Sequence, residues 1–542
     1  MGARDQPAVR VIEQASFAAL SVALVLVAVV AYWARPSVLR EALRLSRRRL
    51  VYGLPIGTVV IVGLNLAFFI FAQRAHTGDG LLVVPYISWS YGYPLGFLTS
   101  PIGHASVSHI TGNLVSTLVF APVAEYVIGH KNSRRPFLRA LVGVPVVWYA
   151  VGVFVSVFSI GPAIGFSGVL FFFFGFVVVF YPVASVGLLV ASEVFRTVVG
   201  ALRSPVTVQS TVESVTLTPP WANIAVSAHA LGFLLGIVLA VLLARRRRKE
   251  IDGYRVGAAI LLLGLAQGLH LVWLSQDSSF VLYRGLGVTA VAALSVAAGF
   301  GVSVESSATP FFGLEELPLR RAASVGFLAV PVVVICVVGF VTGLGTVSTV
   351  DSVEKVDVGD YSVWYGEDVR NQRVVSIPFI DITPANFTSS GVFVTSDERG
   401  AWRQEASARA LRSNPNTTFV VGGLTWEEEV RLERVGMTSA TSENAYTVFV
   451  TADNGSRAVF NSPPAETGVK IDGWRIELNV TDGVRTVSMV RDDGRRKVYL
   501  GSQPTEVEGV TFELEEGLVV ASKEGTSATI GGISGARQNS IR

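Results

Sequence analysis

Ser167 lies between two glycines, in Gly165-Phe166-Ser167-Gly168, at the start of an apolar run. A serine in that setting is open to close approach, and the N–H groups of a helix start are unpaired and able to bind an anion. Much later, His229 lies in a second apolar run and is followed by Gly232 and Gly236. Glycines three and seven residues on let another helix come close. If that helix carries Ser167, an imidazole comes within reach of a hydroxyl. The chemistry of such a pair is nucleophilic. A serine is a poor nucleophile until a base takes its proton, and histidine titrates near neutrality. Attack on a carbonyl then creates a negative oxygen. His109, Asn113 and the Ser167 N–H are candidates to donate to it. His109 and Asn113 are four residues apart and share a helix face, with His104 just ahead of them. Each piece alone has a plainer reading. Polar side chains inside membranes join helices by hydrogen bonds, and small-residue motifs pack them. The chain also repeats the glycine pattern at Gly532-Ile533-Ser534-Gly535, in what reads as a flexible end.

The scaffold for these residues follows from composition. Half of the 542 residues are hydrophobic, 16% are charged and the mean hydropathy is +0.51. Soluble domains carry about 25% charged residues, so an ordinary soluble enzyme is excluded, as are disordered and collagen-like chains. The single cysteine, Cys336, lies in an apolar run and excludes a disulfide-built fold. A membrane helix needs about 20 apolar residues. Ten runs qualify, at about 15–33, 51–72, 106–129, 139–160, 164–182, 183–202, 221–244, 256–275, 285–303 and 324–346. The weakest, 183–202, contains Glu193 and Arg196, three apart and able to pair. With the N-terminus outside, eighteen Lys and Arg fall on inner segments and five on outer ones ahead of the tail. That agrees with the positive-inside rule and puts the tail outside.

The tail differs in kind. Residues 1–345 carry a net charge of +11 and residues 346–542 one of −8. Runs such as Thr417–Val421, Ala445–Val450 and Trp474–Val480 are rich in Val, Phe, Ile and Thr and predict strands. Asp492-Asp493-Gly494 predicts a hairpin turn, and the charged stretch Trp426–Val435 predicts a short helix. Four Asn-x-Ser/Thr sequons, at Asn386, Asn416, Asn454 and Asn479, all lie in the tail. Basic residues sit at the ends of apolar runs rather than on one soluble face, which argues against nucleic-acid binding. Of the other histidines, His76 and His130 read as solvated or interfacial, and His270 as a satisfied buried residue inside the eighth run. The four arginines at 245–248 read as a topology anchor, with contact to anionic lipid as a lesser option.

In combination, these pieces resemble the rhomboid family of intramembrane serine proteases. His104-Ala-Ser-Val-Ser-His109-Ile-Thr-Gly-Asn113 matches the family's His, four residues, His, three residues, Asn. Glu125-Tyr-Val-Ile-Gly129 matches its Glu-x-x-x-Gly. Gly165-Phe166-Ser167-Gly168 with Gly175 matches the nucleophile helix, and Ala228-His229-Ala-Leu-Gly232-Phe-Leu-Leu-Gly236 the final core helix. One departure is that the family's frequent Trp-Arg, nine and eight residues before the first of these histidines, is replaced by Leu95 and Gly96.

The resemblance implies a polytopic α-helical membrane protein, with a rhomboid-like six-helix core at 51–244. Around it would stand an N-terminal helix and basic cytoplasmic segment at 1–50, three further spans at 245–346, and an acidic, soluble β-rich domain outside the membrane at 347–542. It implies Ser167 as nucleophile and His229 as general base, with His109 and Asn113 at the oxyanion. His104, Glu125, Gly165, Gly168, Gly232 and Gly236 would be structural, and the loop at about 203–220 would cap the site. Known members use no metal or cofactor. The expected partners are transmembrane substrates and the lipid bilayer, with an extracytoplasmic partner for the tail. The alternative is a catalytically silent relative that binds and steers transmembrane clients. A transporter is a weaker third reading: for ionisable residues at mid-span the chain offers Glu193, Arg196 and His270, with no inverted repeat.

Overall fold

A computed structural model describes residues 44–77, 80–203, 226–267, 269–270, 273–276, 279–282, 284–303, 319–345, 353–370, 372, 388–492, 494–501 and 503–534. The chain forms two units. One comprises residues 1–70, 86–88 and 94–343, and the other 71–85, 89–93 and 344–542. The run at 15–33, the cap at 203–220 beyond Arg203, the Arg196 side chain and Asn386 lie outside the described residues.

The first unit is helical. Its described helices are α1 (Ile56–Ala67), continued by a π-helical turn Phe68–Ala72, α2 (Pro94–Thr99), α3 (Val107–Ile128), α4 (Pro136–Phe158), α5 (Ser167–Phe180), α6 (Pro182–Arg203), α7 (Val226–Arg246), α8 (Gly253–Ala266), α9 (Arg284–Val302) and α10 (Leu319–Leu344). Among the described residues, α3, α4, α7, α9 and the part of α10 at Ala323–Leu344 are long and apolar enough to cross a membrane. Shorter apolar helices are Ile56–Ala72, α5, Pro182–Glu193 and α8. The eighth run stops short of its predicted end. Helix α8 finishes at Ala266, His270 lies in the turn beyond it, and Trp273–Gln276 pairs with Ser279–Leu282 as a hairpin.

Helix α5 is apolar all round and is buried from Gly168 to Phe180 except at the partly exposed Phe171, as expected of the central member of a bundle. Its partner is α7, and glycine sets their separation. A Cβ at Gly232 would lie 2.1 Å from the Gly168 carbonyl oxygen, and one at Gly236 2.2 Å from that of Phe172. In the opposite direction, a Cβ at Gly175 would lie 2.0 Å from the Phe233 carbonyl oxygen. Backbone therefore rests on backbone along this seam.

A second polar node fixes α1 to α3. Glu125 is fully buried. Its Oε1 accepts from the Gly57 N–H at 2.9 Å, and its Oε2 from the Thr58 N–H at 2.8 Å and the Thr58 hydroxyl at 2.9 Å. It thus satisfies the unpaired donors at the start of α1. His130 is buried too, 3.0 Å from Glu125 Oε1, which corrects its reading as a solvated residue. Its Nδ1 accepts from the Val51 N–H, so Nε2 carries the proton and donates to the carboxylate. A carboxylate buried at a helix start needs this further partner.

The second unit is β-rich. Lys355–Val358, Tyr361–Arg370, Thr388–Ser396 and Ala401–Ser407 form one antiparallel sheet. Ala465–Ile471, Trp474–Thr481, Val484–Arg491 and Gly494–Tyr499 form another, and an eight-stranded sheet centres on Glu427–Ser439. Arg491 pairs with Gly494, so the predicted hairpin is present. The predicted helix at Trp426–Val435 is instead part of the strand Glu427–Ser439. Its acidic start reads as helical, but Val430 and Leu432 are buried around exposed Arg431, which is period two. The segment ending in Ser534 is likewise no loose end: Thr526–Ser534 is a strand paired with Glu427–Ser439.

Candidate active site

Ser167 is the first residue of α5 and His229 lies in the first turn of α7. The glycine seam below them brings their ends together, and Ser167 Oγ lies 2.7 Å from His229 Nε2. Both residues are half-buried. The imidazole is held on its face by Phe171, whose ring stacks at 4.3 Å with an interplanar angle of 7°. Phe171 follows Ser167 by four residues and so shares its helix face.

His109 and Asn113 project from the first two turns of α3. Ser106 caps this helix, its hydroxyl accepting from the His109 N–H at 3.1 Å. The His109 Nδ1 accepts from the Ala105 N–H at 3.5 Å, which leaves the ring proton on Nε2. Both side chains lie against Gly165. A Cβ there would stand 2.8 Å from His109 Nε2 and 3.4 Å from Asn113 Nδ2. Gly165 also has φ +124°, which L side chains rarely adopt. Its backbone N–H donates to Ser100 at 2.8 Å. Glycine two residues before Ser167 is therefore required both by space and by backbone conformation.

His104 is fully buried, and its Nε2 accepts from the Asn113 amide at 3.1 Å. Burial, with a smaller effect from the His109 ring, pushes its pKa down to about 3. The neutral imidazole then accepts the amide proton and fixes the Asn113 rotamer. Gly168 packs on α4, where a Cβ would meet Val155 at 2.7 Å. Leu95 and Gly96, the departure from the family pattern, belong to the short helix α2.

Residues 91–246 match the family model described as the Rhomboid domain. Residues 91–246 are a rhomboid domain. The match spans α2 to α7 and so contains Ser167, His229, His109, Asn113 and His104. A search of curated proteins and a search of solved structures each returned no match. The rhomboid domain and the long apolar helices make this a multi-pass membrane protein.

Two parts of the site escaped sequence reasoning. Phe171 is one, and its only signal was the four-residue offset from Ser167 within a run of phenylalanines. The other is the support of segment 159–165, which leads into Ser167. The Ser227 hydroxyl accepts from the Ile160 N–H at 2.9 Å, and the Thr342 hydroxyl from the Gly161 N–H at 3.4 Å. Gly339 of α10 rests on the Phe158 carbonyl, where a Cβ would lie 2.2 Å from the oxygen. Helix α10 lies outside the rhomboid match yet packs against this segment. Among the described residues, no group of three or more His, Cys, Asp or Glu is placed to hold a metal.

Proposed function

We propose that the rhomboid domain is an intramembrane serine endopeptidase with a Ser167–His229 dyad. The 2.7 Å contact between Ser167 Oγ and His229 Nε2 carries this reading. His229, with its proton on Nδ1, takes the hydroxyl proton on Nε2 as Ser167 Oγ attacks a substrate carbonyl carbon. The oxyanion receives hydrogen bonds from His109 Nε2, the Asn113 amide and the Ser167 N–H. The carbon–nitrogen bond then breaks, and His229 returns its proton to the leaving amine. Water, deprotonated by the same imidazole, releases the acyl group and restores Ser167. Phe171, stacked on the ring, keeps Nε2 aimed at Oγ without an acidic third residue.

The substrates are transmembrane segments of other proteins. A helix hides its carbonyls in hydrogen bonds, so the cleaved segment must unwind locally. Small or helix-breaking residues near the outer end of a span favour this. The β-rich unit lies on the extracytoplasmic side, as the distribution of basic residues and sequons supports.

The test is cleavage in proteoliposomes of a panel of single-span proteins carrying Gly, Ala or Ser near the outer membrane end. New termini are identified by mass spectrometry. Cleavage by wild type, absent in Ser167→Ala, is expected. Clients captured equally by both forms, with no new termini, would overturn proteolysis in favour of client binding.

A further inference from the structure

Segment 159–165 joins α4 to α5 and ends two residues before Ser167. It has no regular secondary structure, so its backbone N–H groups need partners from elsewhere. Four of them find one. Ile160 donates to the Ser227 hydroxyl at 2.9 Å, and Gly161 to the Thr342 hydroxyl at 3.4 Å. Ala163 donates to the Ser88 hydroxyl at 3.0 Å, and Gly165 to the Ser100 carbonyl at 2.8 Å. All of these residues belong to the helical unit. Ser100 and Ser227 lie inside the rhomboid match and Ser88 just before it, whereas Thr342 lies far beyond its end.

Thr342 is carried by α10, whose pattern gives it an inner and an outer face. Leu328, Val332 and Ile335 pack against the core of the helical unit, and Gly339 and Thr342 are buried. These positions are spaced four, three, four and three, which is one stripe of a helix. Val330, Val333, Val337, Phe340 and Leu344 are exposed, as suits a face turned to lipid. The inner stripe ends in a close approach. A Cβ at Gly339 would lie 2.2 Å from the Phe158 carbonyl oxygen and 2.9 Å from that of Ser159. One turn on, the Thr342 hydroxyl donates back to the Gly339 carbonyl at 2.8 Å, which spends its proton and leaves a lone pair for the Gly161 N–H. Thr342 is 6% exposed, so water competes little for that bond.

Gly161 is where the segment most needs holding. Its φ of +77° is one that glycine adopts freely and other residues rarely. Among the described residues, no atom lies within 4 Å of where a Cβ at Gly161 would stand, so side-chain packing does not confine it. Its neighbours Ser159 and Pro162 are stiffer: Ser159 is buried and donates to the Ser156 carbonyl at 3.2 Å, and proline has a fixed φ.

We propose that α10 is part of the catalytic bundle and that Thr342 is a positioning residue for Ser167. Gly339 admits α10 to the end of α4, and Thr342 fixes Gly161 in the segment that presents the nucleophile. This inference rests on the proteolytic reading for its kinetic effect and on packing within the helical unit for its structural one.

The test uses full-length protein in proteoliposomes with one cleaved single-span substrate. Thr342→Val keeps the shape of the side chain and removes the hydroxyl. It is expected to lower kcat about threefold to tenfold with KM unchanged, and to slow the reaction of Ser167 with a fluorophosphonate equally. Thr342→Ser, which keeps the hydroxyl, is expected to restore most of the rate. In a Ser167→Ala background, Thr342→Val is expected to raise hydrogen exchange in peptides covering 159–166. An unchanged kcat in Thr342→Val, a loss confined to KM, an equal loss in Thr342→Ser, or unchanged exchange at 159–166 would each overturn the proposal. A wild type that neither cleaves nor reacts at Ser167 would refute proteolysis instead, and the exchange measurement would then decide the hold of α10 on the segment by itself.

Discussion

Two histidines of the helical unit each make one close contact to an oxygen, and they illustrate opposite uses of the same side chain. His130 meets Glu125 at 3.0 Å with both side chains wholly buried. The carboxylate accepts three more hydrogen bonds from Gly57 and Thr58, and the far nitrogen of the ring accepts from Val51. Every group is used and no reactant can approach. His229 meets Ser167 at 2.7 Å, but both are half-buried, and the ring is steadied by a stacked phenylalanine rather than an acid. The proposed reactivity of Ser167 rests on what these contacts leave unspent. The saturated pair ties α1 to α3, whereas the unsaturated one can exchange a proton with a third molecule.

Substitutions separate the two pairs. The largest effect is expected at the proposed dyad: Ser167→Ala should lower cleavage at least about 10⁴-fold. It should leave thermal unfolding in detergent within about 0.5 kcal/mol of wild type. Glu125→Ala should do the reverse. Stranding a buried polar cluster costs about 3–5 kcal/mol, read as a fall in thermal stability, while molecules that remain folded should react at Ser167 at the wild-type rate. Next comes Gly232→Ala. Its Cβ would require the α5 and α7 backbones to separate, and a displacement near 1 Å costs about 10²-fold in rate, measured as cleavage by folded protein. The smallest effect is expected for Phe171→Ala. Loss of one ring stack is worth about 1 kcal/mol, seen as a several-fold slower reaction of Ser167. A Phe171→Ala variant as inactive as Ser167→Ala would mean that the ring does more than steady His229.

The approach of Ser167 to His229 was legible in the sequence because glycine spacing encodes it. Gly165, Gly168, Gly175, Gly232 and Gly236 each mark a place where a Cβ would strike a neighbour. These positions, in order with Ser167 and His229, describe the seam before any coordinates exist. The fate of His130 was not legible, because Val51, which donates to it, lies 79 residues upstream, and Gly57 lies 68 residues before Glu125. The strand at Glu427–Ser439 was misread because its first residues are acidic, while the alternation of Val430 and Leu432 is short and interrupted. The sharing of the 71–93 loop between units had no local signal at all. The Arg399 guanidinium donates to the Tyr93 hydroxyl 306 residues away, and nothing in either neighbourhood announces the pairing.

The most direct test of the dyad is labelling with a fluorophosphonate probe. Wild-type protein purified in detergent is compared with Ser167→Ala and His229→Ala, each shown to be folded by its unfolding transition. Labelling of wild type alone, on a peptide containing Ser167, is the result this account requires. Equal labelling of wild type and His229→Ala, or none in a wild type that unfolds cooperatively, would contradict it.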